Sequence, residues 1–209
     1  MSGHFHYVPI PAPFPRMLNA AGRYLQERAR PVPCAPLGLC DETFEAETVT
    51  SVSEVVIPTD LLIAAWRQLF PAERMVFLSG HRLGQSTRLT SVRDVTGSTH
   101  SNAYVKACPN LLRESLLDFE AAGAPVAAWL HSHPGQGRGA THPSGIDWRQ
   151  DAALRQDYGP RLVGLIATVD GWLRSWGQAL ADGTVHIRLE GRGISEVSGE
   201  PHVYRLAVR

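Results

Sequence analysis

Short runs of hydrophobic and polar positions follow one another from about residue 48 onward, and each run predicts one element. Residues 49–57 alternate as a half-buried strand does, and residues 126–131 form the short apolar run that is typical of a buried central strand. Further strands are predicted between turn signals, over residues 75–79, 86–95, 161–169, 172–180, 184–189 and 202–208. The pair Asp170-Gly171 separates two of these runs and predicts a tight hairpin turn.

Three segments have the spacing of apolar residues that predicts a helix. The first begins at Thr59 or Asp60, either of which can cap it, and runs through Phe70. The second covers residues 111–122 and the third covers residues 144–157. Because strands outnumber helices and the two types interleave, we predict an α/β (α+β) fold.

Proline divides the chain into two parts. Seven of the 15 prolines lie in residues 1–36, so we expect a proline-rich N-terminal extension over residues 1–47, with one short helix near residues 18–28. This extension either covers an edge of the main domain, mediates a contact or is a poorly ordered arm. Residues 48–209 are expected to form one folded domain.

Charge and cysteine use exclude several classes of protein. The chain has 20 basic and 20 acidic residues, so it has no surplus of positive charge for binding nucleic acid. Its three cysteines include no Cys-x-x-Cys pair, which argues against a disulfide framework and a thiolate zinc finger. We see no signal peptide and no apolar run long enough to span a membrane, so we expect a cytoplasmic protein with no membrane partner.

The residues most able to bind a metal or to take part in catalysis lie in one segment, which reads His131-Ser-His133-Pro-Gly-Gln-Gly-Arg-Gly-Ala-Thr-His-Pro-Ser144-Gly-Ile-Asp147. His131 and His133 lie at the end of a predicted strand, and residues two apart on a strand point to the same face. Asp147 lies in the first turn of the third predicted helix. Two histidines and one carboxylate make three protein ligands, which is the usual number in a catalytic zinc site that also binds water.

Each of these residues also has an ordinary structural interpretation. Two histidines on a strand can be satisfied core or edge residues, and Ser144 with Asp147 matches the Ser-x-x-Asp capping box. The glycine-rich loop between them lacks the Gly-Lys-Ser/Thr ending of a P-loop, so a phosphate site of that kind is excluded. The structural interpretations require a coincidence at every position, which favours the metal site.

The full pattern, His131-Ser132-His133-Pro134 followed by Ser144-Gly145-Ile146-Asp147, resembles the motif of the JAMM zinc metalloprotease family. The spacer, residues 134–143, is longer than the one usual in the family, and its Gly/Pro-rich sequence resembles that of bacterial members which accompany ubiquitin-like conjugation systems. The resemblance covers about residues 50–190. It implies an MPN/JAB-like fold with a central mixed β-sheet flanked by helices.

The resemblance also implies a role for each residue of the site. His131, His133 and Asp147 would bind one catalytic Zn²⁺, and Ser144 would donate a hydrogen bond to the developing oxyanion. The family also uses an upstream glutamate as general acid and base. Glu73 is the best match because it follows a predicted helix and precedes the apolar strand at residues 75–79, whereas Glu54 and Glu47 rank well below it.

The implied activity is that of a zinc-dependent isopeptidase or peptidase, cleaving after the C-terminal glycine of a ubiquitin-like protein in conjugates or precursors. The implied partners are that ubiquitin-like protein, its conjugates, and the activating and conjugating enzymes of the same system. Two alternatives stay open: a catalytically silent MPN-type scaffold that binds proteins, and a small-molecule amidase of the same fold.

Two neighbours of the motif have no single interpretation. His142 can be a fourth metal ligand, a substrate contact or a loop residue, although a fourth protein ligand would displace the catalytic water. Trp148 either shields the site or packs on the sheet, and we favour packing.

Overall fold

The computed structural model describes residues 52–101 and 104–207. The expected extension at residues 1–47, its helix near residues 18–28 and Glu47 lie outside this part of the chain. The described helices are α1 (Thr59–Gln68), α2 (Pro109–Ala121), α3 (Gly145–Tyr158) and α4 (Gln178–Ala181), with a 3₁₀-helix at Arg138–Thr141. The described strands are β1 (Ser53–Pro58), β2 (Met75–Leu83), β3 (Ser86–Asp94), β4 (Thr96–Ser101), β5 (Tyr104–Ala107), β6 (Val126–His133), β7 (Val163–Thr168), β8 (Trp172–Trp176), β9 (Val185–Glu190), β10 (Ile194–Glu196) and β11 (Val203–Leu206).

In the described residues, nine strands form one mixed sheet in the order β10-β11-β8-β7-β6-β2-β3-β1-β9. The pairs β1–β3, β1–β9 and β6–β7 are parallel, and the other neighbours are antiparallel. Strands β4 and β5 form a separate two-stranded sheet. The predicted α/β (α+β) class is therefore confirmed as a large mixed sheet combined with helices.

The central strands are buried on both faces. In β2, Val76 and Leu78 belong to the core that α1 covers, whereas Met75 and Phe77 belong to the core that α2 and α3 cover. Strand β6 alternates in the same way, with Leu130 on the first face and Trp129 on the second. This two-sided burial explains the continuous apolar run at residues 126–131. His131 and His133, two and four positions after Trp129, lie on the same face of β6 as Trp129, which is the face toward α3.

The predicted start of α1 is correct, but the predicted cap is wrong. Pro58 occupies the N-cap position, and no side chain caps the helix there. The Thr59 hydroxyl donates to the distant Arg192 carbonyl (2.8 Å), and the Asp60 carboxylate accepts from Leu61 N. Asp60 is itself the second residue of the helix, so its contact with the third helical N–H group is not made from the N-cap position, and the Thr59 side chain makes no such contact.

Several strand boundaries also differ from the sequence pattern. The predicted strand at residues 172–180 ends at Trp176, because Gly177 adopts φ +123° and α4 begins immediately after it. Strand β2 continues to Leu83, so the turn into β3 is tighter than predicted and uses Gly84 at φ +61°. Strands β4, β5 and β10 were not predicted. No described helix has both the length and the apolar character needed to cross a membrane.

Candidate metal centre

The C-terminal end of β6 and the N-terminal end of α3 meet at one point. His131 and His133 follow Trp129 at two-residue spacing, so all three rings lie on the face of the sheet that α3 covers. Asp147 occupies the third position of α3, and its neighbours along the inner face of that helix are Asp151 and Leu154. The pairing of β6 with β2 and β7 fixes the two histidines, because His131 lies opposite Met75 and Ile166.

The three side chains converge on one another. His131 Nε2 lies 3.1 Å from His133 Nε2 and 3.1 Å from Asp147 Oδ1, and His133 Nε2 lies 3.4 Å from Asp147 Oδ2. All three offer a ligand atom within 4.8 Å of the others. His131 and Asp147 are buried, and His133 is half-buried.

The hydrogen bonds of His133 make it suited to bind a cation. Its Nδ1 lies 2.7 Å from the carbonyl oxygen of Ala140, and a carbonyl oxygen only accepts, so Nδ1 carries the proton. In the neutral ring Nε2 then has the lone pair, and that lone pair faces His131 and Asp147. A metal-binding histidine commonly has this arrangement, because the outer hydrogen bond fixes both the tautomer and the ring orientation.

His131 is held mainly by packing. Its ring stacks on Trp129 with centroids 4.9 Å apart and planes 10° from parallel, and Trp129 Nε1 donates to Asp151 Oδ1 (3.5 Å). Burial lowers the pKa of His131, although its hydrogen bond to Asp147 opposes that shift. His131 Nδ1 is buried without a hydrogen-bond partner among the described residues. A neutral imidazole is therefore favoured, which is the form that binds metals.

The pKa values of His133 and Asp147 are shifted by the contact between the two side chains. Burial lowers the pKa of His133, but hydrogen bonds to Asp147 and to the Ala140 carbonyl outweigh it, so the net shift is upward. Burial would raise the pKa of Asp147, yet hydrogen bonds to His131 and His133 hold it well below its ordinary value. Asp147 is therefore a carboxylate, ready to bind a cation.

Asp147 also belongs to a capping box at the start of α3. Ser144 Oγ accepts from Ile146 N (3.2 Å) and Asp147 N (3.3 Å), while Ser144 N donates to Asp147 Oδ2 (2.6 Å). The predicted Ser-x-x-Asp cap is therefore present. In the bonds from Ile146 N and Asp147 N the Ser144 hydroxyl acts as an acceptor, and a hydrogen bond from the Ser144 side chain also lowers the pKa of Asp147.

Glu73 lies beside the cluster because the chain before β2 is tied to β6. Ser132 lies between the two histidines in the sequence and is buried. Its N–H donates to the Arg74 carbonyl (3.1 Å), and its hydroxyl accepts from Arg74 N (3.0 Å). Glu73 is only 7% exposed. Burial raises its pKa; the charge of His133 opposes the rise, and the charge of Asp147 adds to it.

The other candidate residues lie elsewhere or make other contacts. Glu54 is on β1, where its carboxylate accepts from Ser86 Oγ (3.0 Å) and Arg188 Nε (2.8 Å). His142 is exposed and lies 3.4 Å from Arg174 Nη2, outside the group of three ligands. Trp148 packs edge-on against Trp176 with centroids 5.0 Å apart, although it stays 42% exposed.

The supporting contacts of the site were not predicted from the sequence. They involve Trp129, Ser132 and the Ala140 carbonyl, each of which contacts a histidine or the strand end that bears it. Trp129 precedes His131 by two residues, and this spacing on a strand indicates that the two side chains lie on the same face.

No protein-family model and no curated protein matches this chain. Among solved structures, its fold is similar to the solution structure of protein DSY2949 from Desulfitobacterium hafniense, with a TM-score of 0.47 and 19% sequence identity. The match covers 65% of this chain and 94% of that one. The geometry of the site is that of a group able to hold a metal ion.

Proposed function

We propose that this protein is a zinc-dependent isopeptidase or peptidase of the JAMM type, working in the cytoplasm and cleaving after the C-terminal glycine of a ubiquitin-like protein. The observation that supports this most strongly is the convergence of His131, His133 and Asp147 with Glu73 buried beside them. Each is the residue that the motif requires, and β2, β6 and α3 bring them together from separate parts of the chain.

The donor set favours zinc. Two imidazole nitrogens and one carboxylate suit Zn²⁺, and three protein ligands are typical of a catalytic site. When bound, zinc supplies Lewis acidity and lowers the pKa of a coordinated water toward ~7. His131, His133 and Asp147 would hold the ion.

Glu73 would act as the proton carrier. Burial raises its pKa, which makes the carboxylate a stronger proton acceptor than an exposed glutamate. It would accept the proton of the attacking water and deliver it to the leaving amine. The Ser144 hydroxyl would donate a hydrogen bond to the developing oxyanion, an interaction commonly worth ~3 kcal/mol.

The sheet supports the MPN/JAB-like part of the proposal. A mixed sheet with helices on both faces of its central strands agrees with the implied architecture. Strands β9 and β10 are the outermost strands of the described sheet. An extended substrate tail can pair with such an edge through backbone hydrogen bonds.

Cleavage of defined fusions tests this function. The substrates are ubiquitin and several ubiquitin-like proteins, each joined through its C-terminal glycine to a lysine amine of a reporter protein. We expect the zinc-loaded protein to release the reporter, and we expect a chelator or His133→Ala to abolish release. Bound zinc without turnover on any of these substrates would favour the silent scaffold, and turnover only on small amides would favour the amidase.

A further inference from the structure

The loop at residues 134–143, which is longer than the motif predicts, is held to the sheet at both ends of its 3₁₀-helix. The loop matters because the Ala140 carbonyl, which accepts from His133 Nδ1, belongs to that 3₁₀-helix. Whatever fixes the 3₁₀-helix therefore fixes the ring of His133. The contacts that do so come from the β7–β8 hairpin and from the turn before β11.

The first contact is made by Asp170, in the turn between β7 and β8. Its Oδ2 accepts from the N–H group of Gly137 (2.9 Å), which is the N-cap residue of the 3₁₀-helix. Its Oδ1 accepts from the hydroxyl of Thr168 (2.7 Å). Thr168 is fully buried and lies opposite His133 in the pairing of β6 with β7. The Asp170 carboxylate thus joins the loop to the strand position that neighbours a metal ligand.

Further contacts hold the other end of the 3₁₀-helix. Arg174 Nε donates to Thr141 Oγ1 (3.2 Å), and the Thr141 hydroxyl donates to the Arg138 carbonyl (2.7 Å). Thr141 is fully buried. Arg138 forms an ion pair with Glu200. The 3₁₀-helix is therefore attached on both sides of Ala140.

The loop also closes tightly on itself. A Cβ atom built at Gly135 would lie 2.7 Å from the Cβ of Ala140, so only glycine fits there without a shift. Little slack remains between His133 and the residue whose carbonyl binds its ring. A displacement of the 3₁₀-helix would consequently move the Ala140 oxygen relative to Nδ1.

We propose that Asp170, supported by Thr141, is a positioning residue that sets the orientation of His133 through the 134–143 loop. This inference rests on the metal site of the proposed function, and it adds residues that the motif does not contain. Mutation of groups that orient a metal-binding side chain typically weakens metal affinity by about 10–100-fold.

The test compares Asp170→Ala with the unaltered protein and with Asp182→Ala. Asp182 is a matched control, because its carboxylate accepts from Gln178 Nε2 (2.6 Å) in an exposed turn after α4. The measurements are the Zn²⁺ dissociation constant by chelator competition and the visible spectrum of the Co²⁺-loaded protein. We expect Asp170→Ala to weaken Zn²⁺ binding by about 10–100-fold and to change the Co²⁺ spectrum, with Asp182→Ala unchanged in both.

The conservative variant separates position from charge. Asp170→Asn keeps an oxygen for Gly137 N, so we expect its Zn²⁺ affinity to lie close to that of the unaltered protein. Affinity as weak as in Asp170→Ala would show that lost charge is responsible and would overturn the proposal. Thr141→Val is a second, nearly isosteric variant, and we expect it to weaken binding severalfold.

The outcomes also separate this inference from the proposed function. An unaltered protein that binds no Zn²⁺ contradicts the metal site itself. A protein that binds Zn²⁺ while Asp170→Ala and Thr141→Val bind it equally well, with the same Co²⁺ spectrum, contradicts only the positioning role. A lower melting temperature in Asp170→Ala without a change in affinity would likewise assign Asp170 to structure alone.

Discussion

At the scale of single residues, the site depends on side chains whose surroundings decide their chemistry. Glu73 and Glu54 are both carboxylates near the start of a strand, yet Glu73 is buried beside His133 and Asp147, whereas Glu54 pairs with Arg188 at the surface. Burial raises the pKa of Glu73, and the hydrogen bond from Arg188 lowers the pKa of Glu54. Of these two carboxylates, Glu73 is the one that the proposed function uses as the proton carrier.

Glu73→Gln tests this assignment. Glutamine keeps the size of the side chain but cannot accept the proton, so we expect turnover to fall by about 10²–10⁴-fold while bound zinc is retained. Zinc content and reporter cleavage are measured on the same preparation, with Glu54→Gln as the control that keeps its activity. Undiminished turnover in purified Glu73→Gln would exclude Glu73 as the general base.

Ser132→Ala tests how the Glu73 segment is held. The buried hydroxyl accepts from Arg74 N, so its removal leaves that N–H without its partner. We expect the free energy of unfolding of the metal-free protein to fall by about 1–3 kcal/mol in urea denaturation. The exposed Ser195→Ala serves as the control, and an equal, small effect of both changes would show that the tie is unimportant.

Local signals in the sequence predicted which three side chains form the cluster, whereas an equally local signal gave the wrong N-cap for α1. His131, His133 and Asp147 could be grouped because strand periodicity and helix capping act over two or three residues. The Ser132–Arg74 tie and the Asp170–Gly137 bond join positions far apart in the chain. No local pattern encodes them, because they arise from how the strands pair.

At the scale of elements, α3 both bears Asp147 and fixes its position through the N-terminal capping box. Its inner face carries Asp147, Asp151 and Leu154, so two of its buried side chains are acidic. The capping box at Ser144 sets the start of the helix and thereby the position of Asp147. The sequence predicted this helix and its cap, but not the polar character of the buried face.

Two substitutions of Ser144 separate capping from catalysis. Alanine at an N-cap costs about 1 kcal/mol of stability, whereas glycine costs only a few tenths. Both remove the hydroxyl, so we expect turnover to fall by about 10²–10³-fold in Ser144→Ala and in Ser144→Gly alike. Thermal unfolding and reporter cleavage are measured on both variants. Full activity in Ser144→Gly would assign the hydroxyl to capping alone.

At the scale of the whole molecule, the sheet assembles the site from distant segments. Strand β6 lies between β2, which follows Glu73, and β7, which leads to Asp170. The α/β class was predictable because the apolar periodicities are strong. The strand order was not, and neither were β4, β5 and β10, which have short or polar sequences.

A bound metal should stabilise the whole fold. An ion that binds only the folded state at 100 times its dissociation constant adds about 2.7 kcal/mol to the free energy of unfolding. We therefore expect Zn²⁺ to raise the melting temperature of the purified protein and a chelator to reverse the rise. His133→Ala removes one ligand, and an equal Zn²⁺-dependent rise in that variant would place the binding elsewhere.

The most direct test of the metal centre is a calorimetric titration of the metal-free protein with Zn²⁺, run in parallel on His133→Ala. We expect one tightly bound ion per chain in the unaltered protein and loss of that binding in the variant. Absence of binding in the unaltered protein, or binding of equal strength in His133→Ala, would contradict a metal centre built from His131, His133 and Asp147.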